Sequence, residues 1–168
     1  MKIPIFVSSP TQLSKDQEKA RTLIVNELGS LGMEPRALGR TDFPSDFPLR
    51  EVLVIAKHCS GGVILGFEQF YTRSGIWKRG TSEEKKNTKD VCFPTAWNQL
   101  ESGILFSLDL PLLVFKEDTI SGGVFDSGVT DVFIHKMPMG RLTKDNKDAL
   151  REVILNWQRK VRTHYYGD

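Results

Sequence analysis

Three short apolar runs restrict what this chain can become. Residues 3–7, 63–67 and 112–115 read Ile-Pro-Ile-Phe-Val, Val-Ile-Leu-Gly-Phe and Leu-Leu-Val-Phe. None alternates with polar residues, so each is expected to be a strand covered on both faces. Between them the period becomes helical. Ser14 and Gln17 make a capping-box pattern, and Ala20, Leu23, Ile24, Leu28 and Leu31 then share one face up to a stop at Gly32. A second amphipathic stretch carries Leu49, Val52, Leu53, Ala56 and Cys59 and ends at Ser60-Gly61-Gly62. Residues 33–38 read as a second strand, which Pro35 places at a sheet edge. Residues 132–135 read as a fifth strand. A last helix from about Asp145 packs Leu150, Val153, Ile154, Trp157 and Val161. This alternation predicts an α/β protein: one doubly wound, flavodoxin-like domain over 1–168, with a parallel sheet of about five strands and helices on both faces.

The remaining helix, expected over 94–108, frames the candidate chemistry. Its apolar stripe is Trp97, Leu100, Ile104 and Leu108, which predicts a face laid on the core. Glu101 falls on or beside that face, where a carboxylate must be paired, protonated or set in a cleft, because an unpaired buried charge is very costly. Gly103 is expected to let a backbone or ligand approach beside it. Ligands in such sheets bind at the carboxyl ends of the strands, where the strand order reverses. That rule gathers residues 8–9, 36–42, 66–69 and 116–126 around one mouth. From 68 to 93 no periodicity survives, and a stretch of mixed charge containing glycine predicts a functional lid or a disordered insertion.

Composition narrows the partners. A net charge of +2 with no basic stripe argues against a nucleic-acid binder. No apolar run is long enough for a membrane span or signal peptide. The two cysteines, Cys59 and Cys92, have neither metal-ligand nor redox spacing, which fits a reduced, cytoplasmic chain. No Walker loop or dinucleotide glycine fingerprint is present, so no cofactor or metal is expected. His58, His135 and His164 are scattered and read as structural or surface residues.

Glu101-Ser102-Gly103 with Pro111 ten residues after the glutamate resembles the Glu-x-Gly…Pro signature of nucleoside 2-deoxyribosyltransferase-like proteins. In that family the first strand also ends in a small polar segment before proline, as Phe6-Val7-Ser8-Ser9-Pro10 does here. Thr95-x-Trp97-x-x-x-Glu101 is similar to the TIR-domain segment in which Trp stands four residues before the catalytic Glu. The chain departs from the first family after its third strand, where only Glu68 is acidic, and at the helix entry, Phe93-Pro94-Thr95-Ala96. The resemblance implies a glutamate acting on an N-glycosidic bond, by hydrolysis or transfer, in a homo-oligomer. An antiviral or stress role follows by analogy alone.

Under that expectation Glu101 is the nucleophile or cation stabiliser; the alternative is a partly exposed helix residue paired with Arg or Lys. Trp97 is a stacking wall for a base. Ser8 and Ser9 are candidates for substrate hydroxyls or phosphate, or simply a helix-entry turn satisfying its own backbone. Arg36 and Arg40 could hold a phosphate, which favours a nucleotide or NAD-like substrate over a bare nucleoside. Asp42 is a candidate for ribose hydroxyls or a turn residue. Phe67, with Phe70, Tyr71 and Trp77, is expected to be exposed at the site or at a subunit interface. Gly122-Gly123 is an anion nest or, better, a plain turn. The rival function is a non-catalytic nucleotide-sensing or interaction module on the same fold.

Overall fold

The computed structural model describes residues 2–43 and 45–167. Pro44, the end of a polar loop expected at 39–44, lies outside them. The central sheet contains β1 (Ile3–Ser8), β2 (Met33–Arg36), β3 (Gly62–Gly66), β8 (Leu112–Lys116) and β9 (Ile134–Lys136), all parallel, in the order β2-β1-β3-β8-β9. The α/β sheet of five parallel strands is as expected, with Pro35 on the edge strand β2. Its helices are α1 (Lys15–Ser30), α2 (Pro48–Lys57), α3 (Ala96–Ser107) and α4 (Lys144–Tyr166). The Ser14–Gln17 capping box is formed at the start of α1. Among the described residues no helix is long and apolar enough to cross a membrane.

Strand side chains alternate between the two faces, and that alternation sorts the core. Ile5, Val7, Val63, Leu65 and Phe115 pack with α1 and α4. Phe6, Ile64, Leu112 and Val114 pack with α2 and α3. Ser8 follows Phe6 by two residues, so its side chain falls on the α3 side. The stripe expected on α3 divides: Ile104 and Leu108 pack partly against the core and Glu101 lies on the buried face as expected, but the first half of the stripe does not. Its buried side is Asn98, Glu101, Ser102 and Leu105, while Trp97 and Leu100 point outward, 43% and 49% exposed. Polar residues at i, i+3 and i+4 thus sit over the sheet, and Gly103 is exposed with nothing near it. On α2 the same correction applies to Leu49 and Leu53, which are exposed, whereas Val52 and Ala56 are buried.

The 68–93 insertion is ordered as a bent antiparallel ribbon. β4 (Phe70–Thr72) pairs with β7 (Val91–Phe93), and β5 (Gly75–Trp77) pairs with β6 (Lys85–Asn87). Phe93 organises it, stacking on Phe70 with centroids 6.3 Å apart and meeting the edge of Trp77 at 5.8 Å. Strands of three residues are too short to display a period, which is why the sequence looked structureless there.

Two glycines test this packing in opposite directions. A Cβ on Gly66 would lie 2.5 Å from the Phe125 ring, whereas one on Gly103 would meet nothing within 4 Å. Gly66→Ala is expected to destabilise by roughly 1–3 kcal/mol through overpacking. Gly103→Ala is expected to stabilise by about 1 kcal/mol through helix propensity. Urea-unfolding midpoints of the two variants beside the parent check both signs.

Candidate active site

The chain leaves β1 for β2 on one side and returns to β3 on the other, so the strand order reverses between β1 and β3. Open α/β sheets bind ligands at such a point, outside the carboxyl ends of the strands. A cavity of about 470 Å³ lies there, within the usual range for small-molecule sites. It is lined by Ser9–Gln12 after β1, Leu38 and Gly39 after β2, Gln69 after β3, Pro48 of α2, and Thr95, Trp97, Asn98 and Glu101 at the start of α3.

Glu101 is the one ionisable side chain in that lining. It is 9% exposed, and burial pushes its carboxyl up to about 7, opposed only by the hydroxyl of Ser8. Among the described residues no Arg or Lys pairs with it, so the ion-paired alternative for Glu101 finds no partner there. Ser8 is fully buried; its hydroxyl accepts from the Asn98 amide at 2.9 Å. That amide also reaches the Leu65 carbonyl at 3.4 Å. Thr95 caps α3 by accepting from the Asn98 backbone N–H at 3.1 Å, and its hydroxyl donates to the Asn98 side-chain carbonyl at 3.3 Å. One asparagine therefore ties the helix start to β1 and β3.

The other expected site residues separate into two groups. Ser9 and Trp97 line the cavity with Glu101. The remainder are engaged elsewhere. Arg36 forks onto Asp42, with Nε 3.0 Å from each carboxylate oxygen, and Thr41 donates to the same carboxylate at 2.8 Å. The guanidinium and hydroxyl hold the Asp42 carboxyl below its ordinary value. Arg40 is bound to Glu18 and to the carbonyls of Pro10 and Thr11. Neither arginine nor Asp42 lines the cavity; they brace its wall. Phe67, at 0% exposure, is core on the α1 face and cannot touch a ligand at the surface.

Residues 116–126 also lie outside the lining. Gln99 grips this loop from α3, accepting from Val124 N at 3.0 Å and donating to Gly122 O at 3.1 Å. The Gly122 amide is taken by Asp126 at 2.8 Å, so the glycine pair is a turn closed by its own carboxylate. Gln69 falls in the segment 66–69 expected at the mouth, whereas Thr11, Gln12, Pro48 and Asn98 are lining residues that sequence reasoning missed. Asn98 carried a signal: Asn98, Glu101, Ser102 and Leu105 form a second stripe at helical spacing. Among the described residues no three His, Cys, Asp or Glu side chains converge as a metal site.

No protein-family model, curated protein or solved structure matches this chain.

Desolvation of Glu101 has a thermodynamic signature. A carboxyl whose native value lies above its unfolded value of about 4.5 binds protons preferentially when folded, so its contribution to stability falls as pH rises from there toward 7. Relative to Glu101→Gln, the parent is expected to lose about 3 kcal/mol across that interval. Urea unfolding at intervals between pH 4 and 8 measures the difference, and parallel curves for the two proteins would contradict a buried, unpaired carboxyl.

Proposed function

We propose that the protein acts on an N-glycosidic bond, with Glu101 as the group that meets the anomeric carbon of a nucleoside-type substrate. The observation that carries this reading is the carboxyl itself: desolvated, without a cation, and alone among the ionisable side chains of a cavity at the switch point. Breaking the C–N bond sends its electron pair to the base nitrogen, which takes a proton, and leaves positive charge on the sugar. A carboxylate in a water-poor site stabilises that charge far better than one in water, or captures C1′ as an ester that water or a second base then opens. Trp97, exposed on the cavity rim, is suited to stack on the base. The resemblance of residues 95–111 to the glutamate segments of deoxyribosyltransferase-like and TIR proteins supports the same chemistry.

The cavity favours a particular part of the substrate. Arg36 and Arg40, the groups that argued for a phosphate, are in internal ion pairs, and no cation lines the cavity. The neutral nucleoside portion is what this lining suits. A homo-oligomer belongs to the proposal, supported by exposed Phe47, Leu49, Leu53, Trp97 and Leu100 on and beside α2 and α3.

Incubation with nucleosides, nucleotides and NAD, followed by chromatography of the products, tests the reading directly, with the oligomeric state measured on the same sample. Free base is expected from the parent and at least roughly 100-fold less from Glu101→Gln. The rate should climb as pH rises through about 7, where Glu101 loses its proton. Tight binding of an unchanged nucleoside, with no base released, would instead identify a sensing module. Release that survives Glu101→Gln would move the chemistry to another residue.

A further inference from the structure

We propose that the 68–93 ribbon is a docking surface for single-stranded nucleic acid, which it holds by phosphates and stacked bases while one nucleoside of the strand enters the cavity. The inference rests on reading the cavity as a nucleoside site, but the surface itself is measurable without any base release.

The ribbon is rooted in the cavity wall at both ends. Gln69 at its start and Thr95, two residues past Phe93, are both lining residues. Between them, residues 70–90 are exposed apart from Thr72 and Asn87. Residues 70–91 hold six cations, Arg73, Lys78, Arg79, Lys85, Lys86 and Lys89, against Glu83, Glu84 and Asp90. That excess of three is larger than the +2 of the whole chain, so the remainder is slightly acidic. The charge of the whole sequence, which argued against a nucleic-acid binder, conceals this concentration. Two of the three carboxylates are also spent internally. Glu83 pairs with Lys78, and Glu84 accepts from the Gly80 amide at 2.7 Å. Arg79, Lys85, Lys86 and Lys89 have no ion pair among the described residues.

Aromatic rings lie among these cations. Residues directly opposite on antiparallel strands share a face, so the pairing of Trp77 with Lys85 sets a cation beside an exposed indole. Trp77 meets Phe93 edge-on at 5.8 Å, and Phe93 stacks on the exposed ring of Phe70. An unpaired strand needs this combination: its bases stack on rings and its phosphates meet cations. A duplex offers the phosphates but keeps its bases stacked on one another. An anionic membrane would also meet the cations, but a hairpin that inserts needs an apolar tip. Here residues 78–84 read Lys-Arg-Gly-Thr-Ser-Glu-Glu, and taking Glu83 and Glu84 out of water would be costly. The arrangement divides the ligand between two surfaces. No cation lines the cavity, which suits a neutral nucleoside, while the phosphates on either side of it stay outside on the ribbon.

The test is fluorescence anisotropy with a labelled strand of about 12 nucleotides and mixed sequence, titrated at several salt concentrations, with folding of every variant verified by circular dichroism. Four free cations on four phosphates give an expected slope of log affinity on log salt of about −3. Lys85→Glu/Lys86→Glu is expected to weaken binding at least about tenfold and to flatten that slope by more than one. Trp77→Ala should weaken it about tenfold at an unchanged slope. Glu101→Gln should bind as the parent does. No saturable binding at low salt overturns the proposal, as does undiminished binding by the folded double-lysine variant. A duplex of the same length bound as tightly, or phosphatidylserine vesicles bound in place of the strand, overturns it equally. Base released from free nucleosides by a protein that binds no strand would sink the ribbon's role and leave the glycosidic reading intact. Ribbon-dependent strand binding with no base released from strand or nucleoside would support the surface and count against Glu101 as the reactive group.

Discussion

A polar helix face pressed onto the ends of two strands is the constraint on which the rest of the molecule depends. Burying Asn98, Glu101 and Ser102 leaves α3 with little hydrophobic gain over its first turns; Leu105 supplies that further along. Buried polar groups are tolerated when they find partners and are costly when they do not. Asn98 finds them at Ser8, Leu65 and Thr95, and Ser102 donates to the Asn98 carbonyl. Glu101, the charged member of the stripe, has no ion pair among the described residues. A buried carboxyl with no cation beside it carries an electrostatic cost that its polar neighbours do not, and that cost is what the proposed chemistry would draw on.

The cavity wall opposite α3 depends on a different device. The segment between β2 and α2 reaches the core through Ala37 and Leu38 at its start; beyond them Phe43 and Phe47 are exposed. Two arginines secure it instead, Arg36 folding the loop onto its own Asp42 and Arg40 clamping it to Glu18 and to the turn after β1. Arg21 shares Glu18, so two guanidiniums converge on one carboxylate. Paired, forked contacts of this kind fix geometry more than they add stability. Here they shape the wall facing Glu101.

What the sequence disclosed follows a physical divide. Elements whose burial is apolar on every side were legible, because continuous runs such as 63–67 leave no other environment open to them. The first turn of α3, where Trp97 and Leu100 were expected inside, was misjudged for the converse reason. Trp97, Leu100, Ile104 and Leu108 suggest one continuous apolar face, yet only Ile104 and Leu108 reach the core, because Asn98, Glu101 and Ser102 occupy the buried side of the first turns. Phe67 shows the limit of reasoning from position. It sits one residue past β3, where a ligand contact was plausible, yet strand alternation carries its ring to the α1 face. The arginines illustrate a third limit: a guanidinium at a strand end looks available until the fold brings Glu18, 22 residues away, into reach.

The bent ribbon between β3 and α3 divides the molecule energetically. Its inner ladder is pinned to the body: Cys92 is buried and bridges to Ile120, and Gln69 at its base bonds to Phe93 while lining the cavity. Its outer ladder, β5 with β6, is exposed along almost its whole length. Regions that bury little open locally at small free energies, whereas those sharing the core open only with it. The ribbon therefore spans two levels of amide-exchange protection within one hairpin. Fraying at the tip stops at the Phe93 cluster and leaves Gln69 in place, so the edge of the cavity is insulated from the motions of its longest appendage.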